Sequence, residues 1–166
     1  MSSTSANVIF FEEDLHPIIL YNSNDGAVAS YSAQYDRVTG AGMILYEMLQ
    51  GYQKEKKIPD AERAANEYLM LMNGSCRIAD RIHPDVEYIY VMHFHNDLNT
   101  ELRTCKLNAY KVTPWNFTHD QVFFKIRTWL MAKVPDQYFE KHYYVRQIGS
   151  EIKKATQQKE KLSPED

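Results

Sequence analysis

Tyr88-Ile89-Tyr90-Val91-Met92-His93-Phe94-His95 is the stretch that decides how the chain is read. β-Branched and aromatic side chains fill it, and neither Gly nor Pro interrupts it, so it reads as a β-strand. Strand side chains alternate between faces. His93 and His95 therefore project together from one face, and Tyr88, Tyr90, Met92 and Phe94 from the other. The expectation is a wet outer face carrying the imidazoles and an apolar inner face. Asn96-Asp97-Leu98-Asn99 is a turn cluster, and Leu102 to Val112 alternates as a partner strand with Cys105, Leu107 and Ala109 on one face. Thr113-Pro114 stops that strand.

Upstream, Val8-Ile9-Phe10-Phe11 reads as a strand ended by Glu12, Glu13 and Asp14, and Pro17-Ile18-Ile19-Leu20-Tyr21 as a second apolar run. Asn22-Ser23-Asn24-Asp25-Gly26 is a turn signal, and Ala27 to Ser32 is expected to return as a third strand in a hairpin. Ala41, Ile44, Leu45, Met48, Leu49 and Tyr52 recur at helical spacing, closed by the basic stretch Lys54-Glu55-Lys56-Lys57. Pro59 suits the first turn of the next helix, whose buried face is read as Ala61, Ala64, Ala65, Tyr68, Leu71 and Met72, with Asn73-Gly74 as its stop. Thr118 and Gln121 form a capping box, flanked by the staple residues Phe117 and Val122. The stripe Val122, Ile126, Trp129, Leu130, Val134 follows, up to Pro135. A last helix is expected from Asp136, with Tyr138, Val145, Ile148 and Ile152 inward.

The predicted architecture is α+β: a small, mainly antiparallel sheet packed on one side against about four helices. One domain over residues 8–153 is expected, with a flexible N-terminus at 1–7 and a polar tail at 154–166.

At 166 residues and 44% hydrophobic content, the chain is large enough to bury a core. The net charge of −3 comes without a dominant basic patch, so nucleic acid is not an expected partner. No apolar run is long enough to cross a bilayer, and Met1 to Asn7 lacks the basic start and apolar stretch of a signal peptide. A cytoplasmic location without membrane contact follows as the expectation. Two cysteines far apart in sequence form no disulfide framework.

Several motifs carry candidate chemistry. His93 and His95 supply two nitrogen donors on one face, and a catalytic zinc wants three protein ligands. His83, Asp97, Cys105 or Glu101 could be the third, which makes zinc the alternative to an expectation of no cofactor. The pair is similar to the His-x-His of cupin barrels over three residues, without that motif's flanking glycines. Arg77-Ile78-Ala79-Asp80-Arg81-Ile82-His83 resembles the Arg-x5-His pattern of HEPN ribonucleases over seven residues. That resemblance implies a helical bundle and metal-free RNA cleavage, with Arg77 and His83 acting on the phosphate and the 2′-hydroxyl. Thr118-His119-Asp120 stands at an expected helix N-terminus, where an anion could sit, with His119 a catalytic candidate. Cys76 and Cys105 are the only thiols. No Gly-rich phosphate loop and no nucleophile elbow is present.

The residues that look functional are otherwise aromatic: Trp115, Phe117, Tyr138, Phe139, Tyr143 and Tyr144. Neighbours on a helix point about 100° apart, so adjacent aromatic pairs cannot share one narrow buried stripe. The leading expectation is a non-catalytic interaction or assembly protein. It would dock these aromatics and the sheet edge onto another protein or a second copy. A viral or phage accessory or structural protein, an inhibitor or an assembly subunit fits the small size, the high Tyr and Met content and the lack of an enzyme motif. The alternative is a metal-dependent hydrolase or nuclease at His93 and His95, and the second alternative is the HEPN-like ribonuclease.

Overall fold

The computed structural model describes residues 4–13, 15–32, 37–72, 74–83, 86–97, 99, 102–113 and 144–162. The expected helix after Thr118 lies outside them, as do His119, Glu101, Trp115, Phe117, Tyr138, Phe139 and Tyr143.

β1 (Ala6–Glu12), β2 (Ile18–Asn22), β5 (Cys76–Ala79), β6 (Tyr88–Asn96), β7 (Arg103–Thr113) and β8 (Tyr144–Gln147) form a six-stranded sheet in the order β5-β2-β1-β6-β7-β8. β3 (Ser30–Ser32) and β4 (Arg37–Thr39) form a separate ribbon. The helices among the described residues are α1 (Ala41–Glu55), α2 (Ala61–Met72) and α3 (Gly149–Leu162). The class is α+β. The sheet is mixed, because β1 and β6 run parallel while the other neighbours are antiparallel.

That parallel pair explains the composition of its strands. Val8, Phe10, Tyr90, Met92 and Phe94 pack with α1, α2 and α3 in one core cluster. Ile9, Phe11, Ile89 and Val91 face the other way, into a second cluster with Ile19, Ile82, Val86 and Tyr110. Strands buried on both faces read as continuous apolar runs rather than as alternation. The face expected to be wet is therefore a second apolar layer over most of its length, and only its His93–His95 end opens to solvent.

Among the described residues, no buried side-chain polar atom lacks a hydrogen-bond partner. Asn7 Nδ2 donates to the Leu20 carbonyl at 2.9 Å, and the His83 N–H donates to Asn7 Oδ1 at 2.7 Å. The Tyr68 hydroxyl donates to Asn22 Oδ1, and the Tyr90 hydroxyl to the Gly26 carbonyl, both at 2.8 Å. β1 starts at Ala6, ahead of the expected Val8, because Ala6 pairs with both Asn22 and Tyr88.

Four expectations are corrected. Ala27 to Ser32 does not return as a hairpin on β2, whose two edges are taken by β1 and β5. Instead the carbonyls of Asp25, Ala27 and Val28 accept from the N–H groups of Ala41, Gly42 and Met43 at 2.9, 3.3 and 3.0 Å. These are donors that the first turn of α1 leaves unpaired. Pro59 precedes α2 rather than opening it, since Asp60 Oδ1 caps the Arg63 N–H at 2.8 Å. Leu71 is 58% exposed, because Tyr68 and Met72 already fill the contact face. The last helix starts at Gly149, because Tyr144 to Gln147 pairs with Tyr110 to Thr113 as a strand. Ile148 and Ile152 are inward as expected, and α3 continues through the expected tail to Leu162.

The close approach of the 25–29 segment to α1 leaves no room at Gly40. Its φ is +149°, and a Cβ there would stand 2.7 Å from the Ala29 Cα and 2.8 Å from the Val28 carbonyl oxygen. Gly40→Ala should cost at least about 2 kcal/mol in urea unfolding, since the backbone and not a movable side chain must give way. An unchanged midpoint would contradict the packing described.

Candidate functional site

Parallel pairing puts the carboxyl ends of β1 and β6 on the same edge of the sheet. Phe11 is level with His93, and Glu12 with Phe94. Alternation then splits the two consecutive glutamates that follow Phe11 between the faces.

Glu12 turns to the helix side. Its Oε1 accepts from Arg103 Nη1 at 2.6 Å and from the Ala61 N–H at 3.1 Å, while Arg103 Nη1 also reaches the Pro59 carbonyl at 3.2 Å. This partly buried clasp joins the end of β1, the start of β7 and the first turn of α2, where a carboxylate is favoured by the unpaired N–H groups.

Glu13 turns to the histidine side. Its Oε1 lies 3.1 Å from His95 Nδ1 and 3.7 Å from His93 Nε2. The His93 ring packs against Phe11 with 5.3 Å between ring centres, and the two imidazoles are 6.3 Å apart. The His93 side chain is 13% exposed, against 46% for His95 and 43% for Glu13. One anchored imidazole, one accessible imidazole and one carboxylate thus converge at the mouth of the second apolar layer. The arrangement can exchange protons between a carboxylate and an imidazole.

The other proposed donors do not join them. The His83 ring stacks on Tyr21 at 4.0 Å, and its backbone is tied to Asn7, four residues before Phe11 on β1, which is roughly 13 Å along a strand. Cys105 is level with Phe94 and buried in the helix-side core, on the opposite face. Asp97 Oδ1 accepts from the Asn99 N–H at 2.9 Å within the turn. Among the described residues no three His, Cys, Asp or Glu side chains stand ready to hold an ion.

Arg77 and His83 each pack on the same strand residue, Tyr21. The Arg77 guanidinium lies 5.1 Å from the centre of the Tyr21 ring on which His83 stacks. Their segment is edge strand β5 and the irregular stretch after it, so the helical context of a HEPN bundle is absent there. Tyr144 lies in β8.

The contribution of Glu13 is invisible in the sequence, where Glu12, Glu13 and Asp14 read only as a strand end. Knowing that β1 runs beside β6 in parallel would have put an odd-numbered Glu after Phe11 next to His93.

Burial pushes the thiols of Cys76 and Cys105 both up to about 12. Thiolate is the reactive form, so neither suits a nucleophile. Native protein at pH 8 should react with a thiol reagent far more slowly than unfolded protein; equal rates would overturn this. Removing the clasp cation with Arg103→Met should lower stability by about 2 kcal/mol, because Glu12 stays partly buried with one N–H partner left. Urea unfolding with an unchanged midpoint would show the clasp to be idle. The chain matches no protein-family model, no curated protein and no solved structure in comparisons with known proteins.

Proposed function

We propose that the chain is a non-catalytic docking or assembly protein that binds another protein through the β5 edge of its sheet. The observation that carries this reading is exposed apolar surface at that edge. β5 ends the sheet, with no strand on its outer side among the described residues. Ile78, within β5, is 70% exposed, and α2, which packs against β5, carries Met70 and Leu71 in its last turn, 79% and 58% exposed. An edge strand offers unpaired backbone donors and acceptors to an incoming strand, while exposed apolar side chains beside it supply the contact area.

The acidic balance favours a protein over nucleic acid as the partner. No helix among the described residues is long and apolar enough to cross a membrane. Accessory, inhibitory and subunit roles, including those in a virus or phage particle, share this docking logic.

The test replaces Ile78 by a photo-crosslinking residue in the cells that make the protein and pairs it with Ile78→Lys. A crosslinked protein or second copy at position 78 is expected, lost in the presence of competing wild-type chain but not of Ile78→Lys chain. The lysine should change folding stability by no more than about 0.5 kcal/mol, as for other exposed sites. Absence of any crosslink, with a strict monomer by light scattering, overturns the reading.

A further inference from the structure

We infer that Glu13, His93 and His95 close around one divalent transition-metal ion of the zinc type. Two nitrogens and a carboxylate oxygen are the donor set of many three-ligand zinc sites, which leave a fourth position to water. In a tetrahedral site with bonds of about 2.0–2.1 Å, neighbouring donors are about 3.3 Å apart. The two distances from Glu13 Oε1, 3.1 and 3.7 Å, bracket that value.

What is not yet in place is the approach of the rings. Imidazoles sharing one tetrahedral ion have ring centres about 5.2 Å apart, from the same bond lengths and ring size. Here the centres are 6.3 Å apart, and among the described residues no ready-made ion cage is present, so binding requires roughly 1 Å of closure. The residues that must move are the accessible ones. His95 and Glu13 each keep nearly half of their side-chain surface in water, at a strand end and in the turn after a strand. His93 is the fixed point, held against Phe11. The ion would tie the turn after β1 to the end of β6, across the one parallel contact in the sheet. The site is separate from the β5 edge, so this inference stands apart from the docking reading.

Zinc and cobalt(II) titrations into metal-free full-length protein test it, by calorimetry for zinc and by the visible absorption of cobalt for ligand type. One equivalent should bind with a micromolar Kd. His95→Ala and Glu13→Gln should each weaken binding at least tenfold without changing the far-ultraviolet circular dichroism, since both side chains are well exposed. No binding at about 100 μM metal would overturn the inference. So would binding that both variants leave intact, because the ion would then sit on other donors such as His16 or His83.

Discussion

The structure depends on the parallel pairing of β1 with β6. Seven residues of β1, Ala6 to Glu12, run in register with Tyr88 to Phe94, at the centre of the sheet. Parallel neighbours need cover on both faces, because neither side of the pair can be left to water without exposing a row of large apolar side chains. Both clusters meet this demand through alternating residues of the same two strands. Each Å² of apolar surface buried on either face of this pair contributes about 25 cal/mol. The contact closes a loop of some eighty residues, and its entropy must be repaid by that burial.

Burial alone does not fix register, since a slip would exchange one set of apolar side chains for another almost as apolar. Polar side chains at particular places do. Asn7 is fully buried and uses its amide group twice, on the Leu20 carbonyl and on the His83 N–H. A one-residue shift of β1 would send this amide into the other layer and leave both partners unpaired, at about 1–3 kcal/mol each. Tyr68 on Asn22 and Tyr90 on Gly26 lock the helix layer and the 23–29 segment in the same way.

What the sequence made legible follows from how local each signal is. α1, β6 and β7 were readable because their periodicity lies within one segment. β5 was not, because Cys76-Arg77-Ile78-Ala79 is short and mixed, and only the edge of β2 makes it a strand. Tyr144 to Gln147 reads as helix in the sequence because Val145 continues a stripe toward Ile148 and Ile152, yet Tyr110 to Thr113 supplies a partner that no local pattern announces. The histidine pair was legible to the level of a shared face. Its third member was not, since Glu13 is eighty residues away and parallel order cannot be read from either strand alone.

The two glutamates after Phe11 show how one strand end serves two purposes. Glu12 is held by a guanidinium and a helix N–H in partly dry surroundings, where a pair repays its desolvation only if its geometry is fixed. Such a clasp is worth little against an apolar replacement of both partners, though removing one of them is costly, and it sets where β1 stops relative to β7 and α2. Glu13 inherits that placement. With Glu12 pinned on one face, alternation sends the next side chain to the other, toward imidazoles whose own position is set by the β6–β7 register of His93 on Lys106 and His95 on Thr104. The carboxylate–imidazole cluster is thus positioned by two ladders and one ion pair, none of which belongs to the cluster itself.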